Sequence, residues 1–354
     1  MSRAFPHPDQ HRPHWLETAG PDSDIVLGTR ARLVRNLRGF PFTHLASEAQ
    51  LGTIRGLLAP RLASLASLEG GWSLALADHS PLELRVLREM LVLAQPGEAP
   101  RVERELVLGP KLDRAALVNG RDHLHLAAFR PGFDAAGARQ DVLDMDADLE
   151  PGVDWAFTED FGYLTASPTD VGTGLHLSAL LHLPGLVLAG EIDKILNAMR
   201  QLQFYVRGLF GDGQMVRGAL FRISNLITLG RDEEEITEDF ARHVGRVLKY
   251  ERLARDQFQD RDPLAVEDMA QRSLAILRHA RLITAQEGFD RLSSVRLGAA
   301  LGVLPPLSPG LLNRALVAQQ SGHLERVAGE RLEGRARRAA RAALFREMFA
   351  PQGS

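Results

Sequence analysis

The pattern of this chain changes character once, at Asp260-Arg-Asp-Pro263. Upstream, from Asp24, short strand-like runs alternate with helical ones. Downstream, residues 264–350 read as helix throughout. Strands mixed with helices, then helices alone, predict an α+β domain followed by a helical domain. The expected divisions are a polar lead-in over residues 1–23, a mixed domain over 24–259 and a helical domain over 264–350.

Within the mixed part, Trp72–Ala77 and Ala115–Val118 read as strands. His123-Leu-His-Leu-Ala-Ala-Phe129 alternates, which puts His123 and His125 on one face and Leu124 and Leu126 on the other. Phe204–Phe210 and Val216–Ser224 are apolar runs around Gly211-Asp212-Gly213, so a hairpin with a mobile tip is expected. Gly172-Thr-Gly174 reads as the lead-in to a helix running towards Leu183, and Glu191–Gln203 as an amphipathic helix. Asp232 and Glu235 have capping-box spacing at the start of a further helix, expected to reach about Phe258.

Composition narrows the classes. The chain has 354 residues, 45% hydrophobic and 25% charged, the balance of a globular protein. A net charge of -3 gives no global field towards nucleic acid or anionic membrane. The absence of cysteine excludes disulfides, thiolate catalysis and cysteine-held metals. Met1–Trp15 has no apolar core of a signal peptide, and the most apolar stretch, Leu175–Leu188, is broken by His176, His182 and Pro184. A cytoplasmic protein without a membrane span is expected.

Several segments carry a resemblance, in order along the chain. They are Leu27-Gly-Thr-Arg30-Ala-Arg32-Leu-Val-Arg35-Asn36, Val118-Asn119-Gly-Arg-Asp122-His123-Leu124, and Gly162 to His176 with its Ser-Pro-Thr-Asp-Val-Gly-Thr-Gly-Leu run. Tyr205-Val-Arg207-Gly208-Leu-Phe-Gly211, then Ile223-Ser-Asn225-Leu-Ile-Thr-Leu-Gly230, follow. Together they resemble the ATP:guanidino phosphotransferases (phosphagen kinases). Ser294-Val-Arg-Leu-Gly298 and Arg337–Ala342 are closest to the bacterial protein-arginine kinases of the McsB type. The resemblance implies an antiparallel sheet flanked by helices that binds ATP with Mg2+, then a helical domain. It also implies protein substrates or partners and a homodimer.

Phosphoryl transfer from ATP requires the triphosphate's charge to be neutralised and the acceptor held in line. The resemblance assigns Arg30, Arg32 and Arg207 to the phosphate cradle, since guanidinium groups are permanently charged and grip phosphate oxygens in a fork. Two further cradle positions hold His125 and His176 in place of the family's arginines, and a histidine contact of the family appears as Leu91. A neutral imidazole offers one donor where an arginine offers five. On the acceptor side the family's carboxylate pair is absent. Arg121 stands at the position of the base, and the second carboxylate is represented by Asp212 in the hairpin loop. Two like charges ~4 Å apart repel by roughly 4 kcal/mol at an effective dielectric near 20, so Arg121 discourages a guanidinium substrate. Losing a base costs about 10²–10⁴-fold, and losing a transition-state arginine about 10³–10⁵-fold. The expectation is a catalytically impaired protein-arginine kinase homologue that binds protein partners or phosphoarginine in protein quality control. The alternative is an active ATP-dependent protein-arginine kinase with a rebuilt site.

Near the C-terminus, Arg337 and Arg341 lie four apart on one helix face. The resemblance marks them as a phosphoarginine clamp, with Arg338 where the family has an aspartate. The basic run Arg335, Arg337, Arg338 and Arg341 lacks interleaved aromatics, so nucleic acid is not an expected partner. His123, His125 and His176 lack the spacing of a metal site, and no metal is expected.

Overall fold

A computed structural model of the chain describes residues 5–6, 11–93, 103–209 and 216–351. An eight-stranded antiparallel sheet dominates it, in the order β2-β3-β4-β5-β1-β8-β10-β9. The strands are β1 (Val26–Arg35), β2 (Trp72–Ala75), β3 (Glu105–Leu108), β4 (Arg114–Val118), β5 (Leu124–Pro131), β8 (Leu175–His182), β9 (Phe204–Gly208) and β10 (Leu220–Asn225). A small hairpin, β6 (Phe157–Thr158) and β7 (Gly162–Tyr163), lies apart. Among the helices, α1 (His14–Glu17), α2 (Glu48–Ser64), α3 (Pro81–Glu89), α4 (Ala135–Leu149), α5 (Pro184–Leu188), α6 (Ile192–Gln201) and α7 (Glu233–Arg261) are interspersed with the strands. The helices α8 (Pro263–His279), α9 (Ala285–Ala300), α10 (Pro309–Ala318), α11 (Ser321–Ala328) and α12 (Gly334–Met348) follow without a strand between them. This is the α+β architecture expected from the change of pattern.

Local chemistry sets the helix ends. Ser47, Ser80 and Asp232 each form a reciprocal capping box with the residue three positions on. Asp262 lies between two helices as the C-cap of α7 and the N-cap of α8, where its carboxylate accepts the Ala265 amide. The polar break seen in the sequence is this shared cap, and α7 runs three residues beyond the expected Phe258.

The sheet carries an apolar core on each side, and one of its faces is covered only in part. On one side Ala31, Leu33, Leu126, Leu177, Leu181, Phe221 and Ile223 form a core with α2, α4 and α7 through residues such as Leu58, Val142 and Phe240. The opposite face is divided. Leu27, Phe129, Leu180 and Leu220 join a second core with Leu292, Val295, Leu316 and Phe345 of the C-terminal helices. The remainder of that face carries Arg30, Arg32, His125, His176, Arg207 and Arg222, and is not filled by those helices. Burying apolar area at about 25 cal/mol per Å² drives the docking on the apolar part only.

One expectation fails. Residues 175–182 form the central strand β8, not a helix. All eight are buried, yet His176 and Ser178 alternate with Leu175, Leu177 and Ala179, a strand period that the following Leu180-Leu181 pair blurs. Gly172 and Gly174 have φ of 110° and 68°, and a Cβ on Gly172 would sit 2.2 Å from the Thr228 carbonyl oxygen. These glycines let the chain pass close to the segment after β10 and enter a strand.

Candidate functional site

Strand alternation and register assemble the polar half of the divided face. In β1 the even residues Arg30 and Arg32 point away from the core holding Ala31 and Leu33. Arg32 pairs with His176 and Arg30 with Ser178 on β8. Arg222 on β10 pairs with Arg207 on β9, and Ser224 with Ser178. His125 reaches the same face from β5, one step along from Arg32. All five described residues assigned to phosphate binding are thus brought together on four strands, β5, β1, β8 and β9, within a run of five adjacent ones.

Arg222 was missing from that set. Its signal was present in Leu220–Asn225, where Phe221 and Ile223 alternate with Arg222 and Ser224. Asp170 was also missed; it is buried just before the Gly-Thr-Gly segment and lies 3.5 Å from Arg32 and 2.7 Å from His176 Nε2. The His176 contact has ion-pair distance without the alignment of a hydrogen bond. Burial opposes ionisation of Asp170, but His176 and Arg32 outweigh it and hold its carboxyl at about 2.

Charge is distributed unevenly. Burial lowers the Arg32 guanidinium, while Asp170 and Asp122 support it. Arg30 is only 9% exposed, and burial with the charges of Arg222, Arg32 and Arg207 lowers it well below the usual arginine value. Burial and the charges of Arg207 and Arg32 push Arg222 to about 9. Among the described residues no carboxylate meets Arg30, Arg207 or Arg222, and the Nε atoms of Arg30 and Arg222 are buried without a hydrogen-bond partner. Phe129 stacks beneath Arg30, 5.2 Å from its guanidinium carbon.

The three histidines do not converge: His125 and His176 share the polar face, and His123 does not. His125 Nε2 accepts the Asp122 backbone N–H at 3.2 Å, and burial next to Arg32 pushes its pKa to about 3, so the ring is neutral. His176 Nδ1 lies 3.3 Å from the Asn225 carbonyl oxygen. His123 precedes β5 and does not share the His125 face: its Nδ1 accepts the Leu37 N–H, and its Nε2 lies 2.9 Å from the Pro41 carbonyl. A loop anchor has overridden the alternation expected there.

On the acceptor side Arg121 is exposed, and its carbonyl accepts a hydrogen bond from Thr43. Its charge still reaches Arg32 and His125. Asp122 Oδ1 is occupied by Asn36 at 2.7 Å and the Ala166 amide at 2.6 Å. Asp212 and the tip around it lie outside the described residues; β9 and β10 confirm the hairpin that carries them. Beside the arginines a cleft is lined by Arg30, Arg32 and His125 and by apolar residues including Val92, Leu93, Leu106 and Leu117. Leu91 lies just before that wall with φ of 63°.

Arg35, the next arginine of β1, has a structural task. It donates to Asp146 at 3.1 and 2.6 Å and to the carbonyls of Val34 and Thr173, and it stacks on Tyr163. That fastens the Gly172–Gly174 segment beside the arginines. In α12, Arg337 pairs with Glu325 at 2.9 Å and donates to the Leu332 carbonyl. Arg341 is buried and donates to the carbonyls of Gln319 and Ile283. Among the described residues no group of three or more histidine, aspartate or glutamate side chains could hold a metal ion, and no helix is long and apolar enough to cross a membrane.

An antiparallel sheet whose open face gathers unpaired guanidinium groups defines an anion-binding phosphotransferase fold, and the chain belongs to the ATP:guanido phosphotransferase family. The model of that family's C-terminal catalytic domain matches residues 63–254. A second model, the C-terminal domain of the protein-arginine kinase McsB, matches residues 263–353. Curated relatives named protein-arginine kinase include one from Halalkalibacterium halodurans, 38% identical over 333 residues and 94% of each chain. Another, from Brevibacillus brevis, is 37% identical over 341 residues, again covering 94% of each chain. The one from Pelotomaculum thermopropionicum is 36% identical over 343 residues, covering 95% of this chain and 96% of that one. Two solved structures share the fold. The duplicated taurocyamine kinase from Schistosoma mansoni with bound transition state analog components superposes with a TM-score of 0.59 at 19% identity, over 71% of this chain and 36% of that longer one. Lombricine kinase gives a TM-score of 0.58 at 18% identity, over 68% and 71% of the two chains.

Proposed function

We propose that this chain is a protein-arginine kinase homologue that binds a nucleoside triphosphate on the open half of its sheet and transfers phosphate poorly. Residues 24–259 would carry the nucleotide site, and residues 264–350 would dock against it to shape a partner-binding protein that works as a homodimer in protein quality control. The family relationship supports the nucleotide class, and the unpaired guanidinium groups support an anionic ligand of several charges. ATP would enter with Mg2+ held by its own phosphates.

The observation carrying the impairment is the state of the two carboxylates nearest the arginines. To form the new N–P bond, a guanidino nitrogen must lose a proton as the phosphoanhydride P–O bond breaks, and a base must take that proton. Asp122 spends Oδ1 on Asn36 and Ala166 and keeps Oδ2 buried without a hydrogen-bond partner, 3.8 Å from His125 Nε2, and Asp170 faces His176 and Arg32, so neither carboxylate is presented to a substrate arriving from solvent. Arg121 adds positive charge where a guanidinium substrate would approach. The α12 arginines are left out of this reading because Glu325, Gln319 and Ile283 already engage them.

The test couples binding to turnover. Millimolar Mg-ATP is expected to raise the melting temperature, because a ligand selective for the folded state stabilises it by mass action. Labelled ATP is expected to leave an arginine-rich protein unmodified, or nearly so. Arginine phosphorylation that is abolished by Arg207→Ala would overturn the impairment and favour an active kinase with a rebuilt site. No thermal shift would overturn nucleotide binding.

A further inference from the structure

Arg222 differs from the other cradle residues in that no resemblance assigns it a role. It sits on β10 with Arg207 as its direct cross-strand partner on β9, so their side chains leave the same face within about 5.5 Å of each other at the backbone. Like charges directly opposite destabilise a strand pair. Arg222 faces no described carboxylate, and its Nε is buried with no hydrogen-bond partner among the described residues. Arg30, two strands away across β8, is in the same condition. A partly buried, unpaired guanidinium is costly, and three placed together are costlier. Natural sites accept that cost where a ligand supplies the missing charge.

Arg32 makes the contrast on the same face. Its charge is answered by Asp170, which also takes the contact from His176. His125 is neutral and spends Nε2 on a backbone amide. The positive charge still unanswered has thus moved across the sheet, from β5 towards β10 and β9. Arg30, Arg222 and Arg207 span β1 to β9, three strand spacings or about 14 Å at ~4.8 Å each. A row of that breadth suits a chain of phosphates better than a single one.

We infer that Arg222 is a phosphate-binding residue which, with Arg30 and Arg207, forms the principal polyphosphate grip of this protein and replaces the cations absent at His125 and His176. This rests on the nucleotide reading above and deepens it by naming the residues and the ligand group that carry the affinity. The ligand class is a polyphosphate chain, as in a nucleoside di- or triphosphate. The energetic logic predicts opposite signs for stability and binding: the free protein is strained by Arg222, and the complex depends on it.

The experiment measures calorimetric binding of tripolyphosphate, ADP and adenosine to the full chain, with melting temperatures of the free proteins. Wild type is expected to bind tripolyphosphate and ADP, and not adenosine alone. Arg222→Gln is expected to bind both phosphate ligands about 10–100-fold more weakly, the effect of one charge-assisted contact. Arg222→Lys should recover part of that loss. The free Arg222→Gln protein should melt higher than wild type, which a merely structural arginine would not give. Affinity for tripolyphosphate should also fall less steeply with salt in Arg222→Gln, because one cation fewer is involved. Unchanged tripolyphosphate affinity in Arg222→Gln, with loss in Arg207→Gln, would overturn the Arg222 assignment and leave the nucleotide reading standing. A wild type that binds neither tripolyphosphate nor ADP would overturn both.

Discussion

The two halves of one sheet face use the same residue types in opposite ways. Under the C-terminal helices, His182 contacts Ser293 at 2.8 Å, and Arg296 donates to Asn313 and to the Ser23 carbonyl. Arg255 donates to Glu251 at 2.6 Å and to the His182 carbonyl. The guanidinium groups of Arg296 and Arg255 each have acceptors inside the protein, although Arg296 keeps a buried Nε without one. In the open half Arg30 and Arg222 have none among the described residues. A satisfied buried arginine belongs to the fold; an unsatisfied one at a cleft is held for something that arrives from outside.

The hardest test of that contrast is Arg255→Met. Glu251 is fully buried and caps α5 by accepting the amides of Gly185 and Leu186 at 2.9 and 3.0 Å. Removing Arg255 leaves its carboxylate without a counter-charge, at a cost of about 3–5 kcal/mol. Urea unfolding should show the loss, and tripolyphosphate affinity should stay at the wild-type value. Equal stability of the variant and wild type would erase the distinction between the halves.

The sequence carried much of this face and missed particular parts for identifiable reasons. The alternation of Arg30 and Arg32 with Ala31 and Leu33 was legible because β1 carries a polar face opposite an apolar one at those positions. The capping box at Asp232 was legible because it is local. The strand β8 was misread although His176 and Ser178 alternate with Leu175, Leu177 and Ala179, because Leu180 and Leu181 break the period and burial on both faces makes the segment apolar overall. Arg222 and Asp170 were hidden for another reason. Their importance depends on register with Arg207 and on contact with His176, and both are non-local. His123 followed its alternation in sequence and was diverted by hydrogen bonds to Leu37 and Pro41, which local pattern does not encode.

A smaller effect sharpens the contrast inside the open half, where Arg32 is the compensated member. Asp170 titrates near 2 when folded, below the ordinary carboxylate value near 3.9. A depressed carboxylate stabilises above its unfolded pKa and loses that contribution as pH falls through the folded value. At neutral pH this is on the order of 2 kcal/mol, at 1.36 kcal/mol per unit. Asp170→Asn should therefore be less stable than wild type at pH 7, with the difference disappearing between about pH 4 and pH 2. Denaturant midpoints across that range would measure it. A constant difference would mean that Asp170 acts through shape and not through charge.

The smallest effect at neutral pH, and the one that separates the halves by ligand, comes from the histidines. Burial first, then neighbouring arginines, depresses His125 in the open half to about 3 and His182 in the sealed half well below its usual value. Between about pH 3 and 6.5 the unfolded chain binds protons that these rings refuse, so stability falls as pH falls through that window. Each such histidine contributes up to about 1.4 kcal/mol per pH unit. His125→Gln should flatten the stability profile by about one proton's slope. Saturating tripolyphosphate should flatten the wild-type profile in part, because its negative charge near Arg32 and Arg30 offsets the cations that add to the larger effect of burial on His125. The contribution of His182, screened behind α9 and neighboured by Arg296 and Arg255, should not respond to the ligand. A ligand-induced change that survives in His125→Gln and vanishes in His182→Asn would show the anion acting on the sealed half, and the division of the face would have to be redrawn.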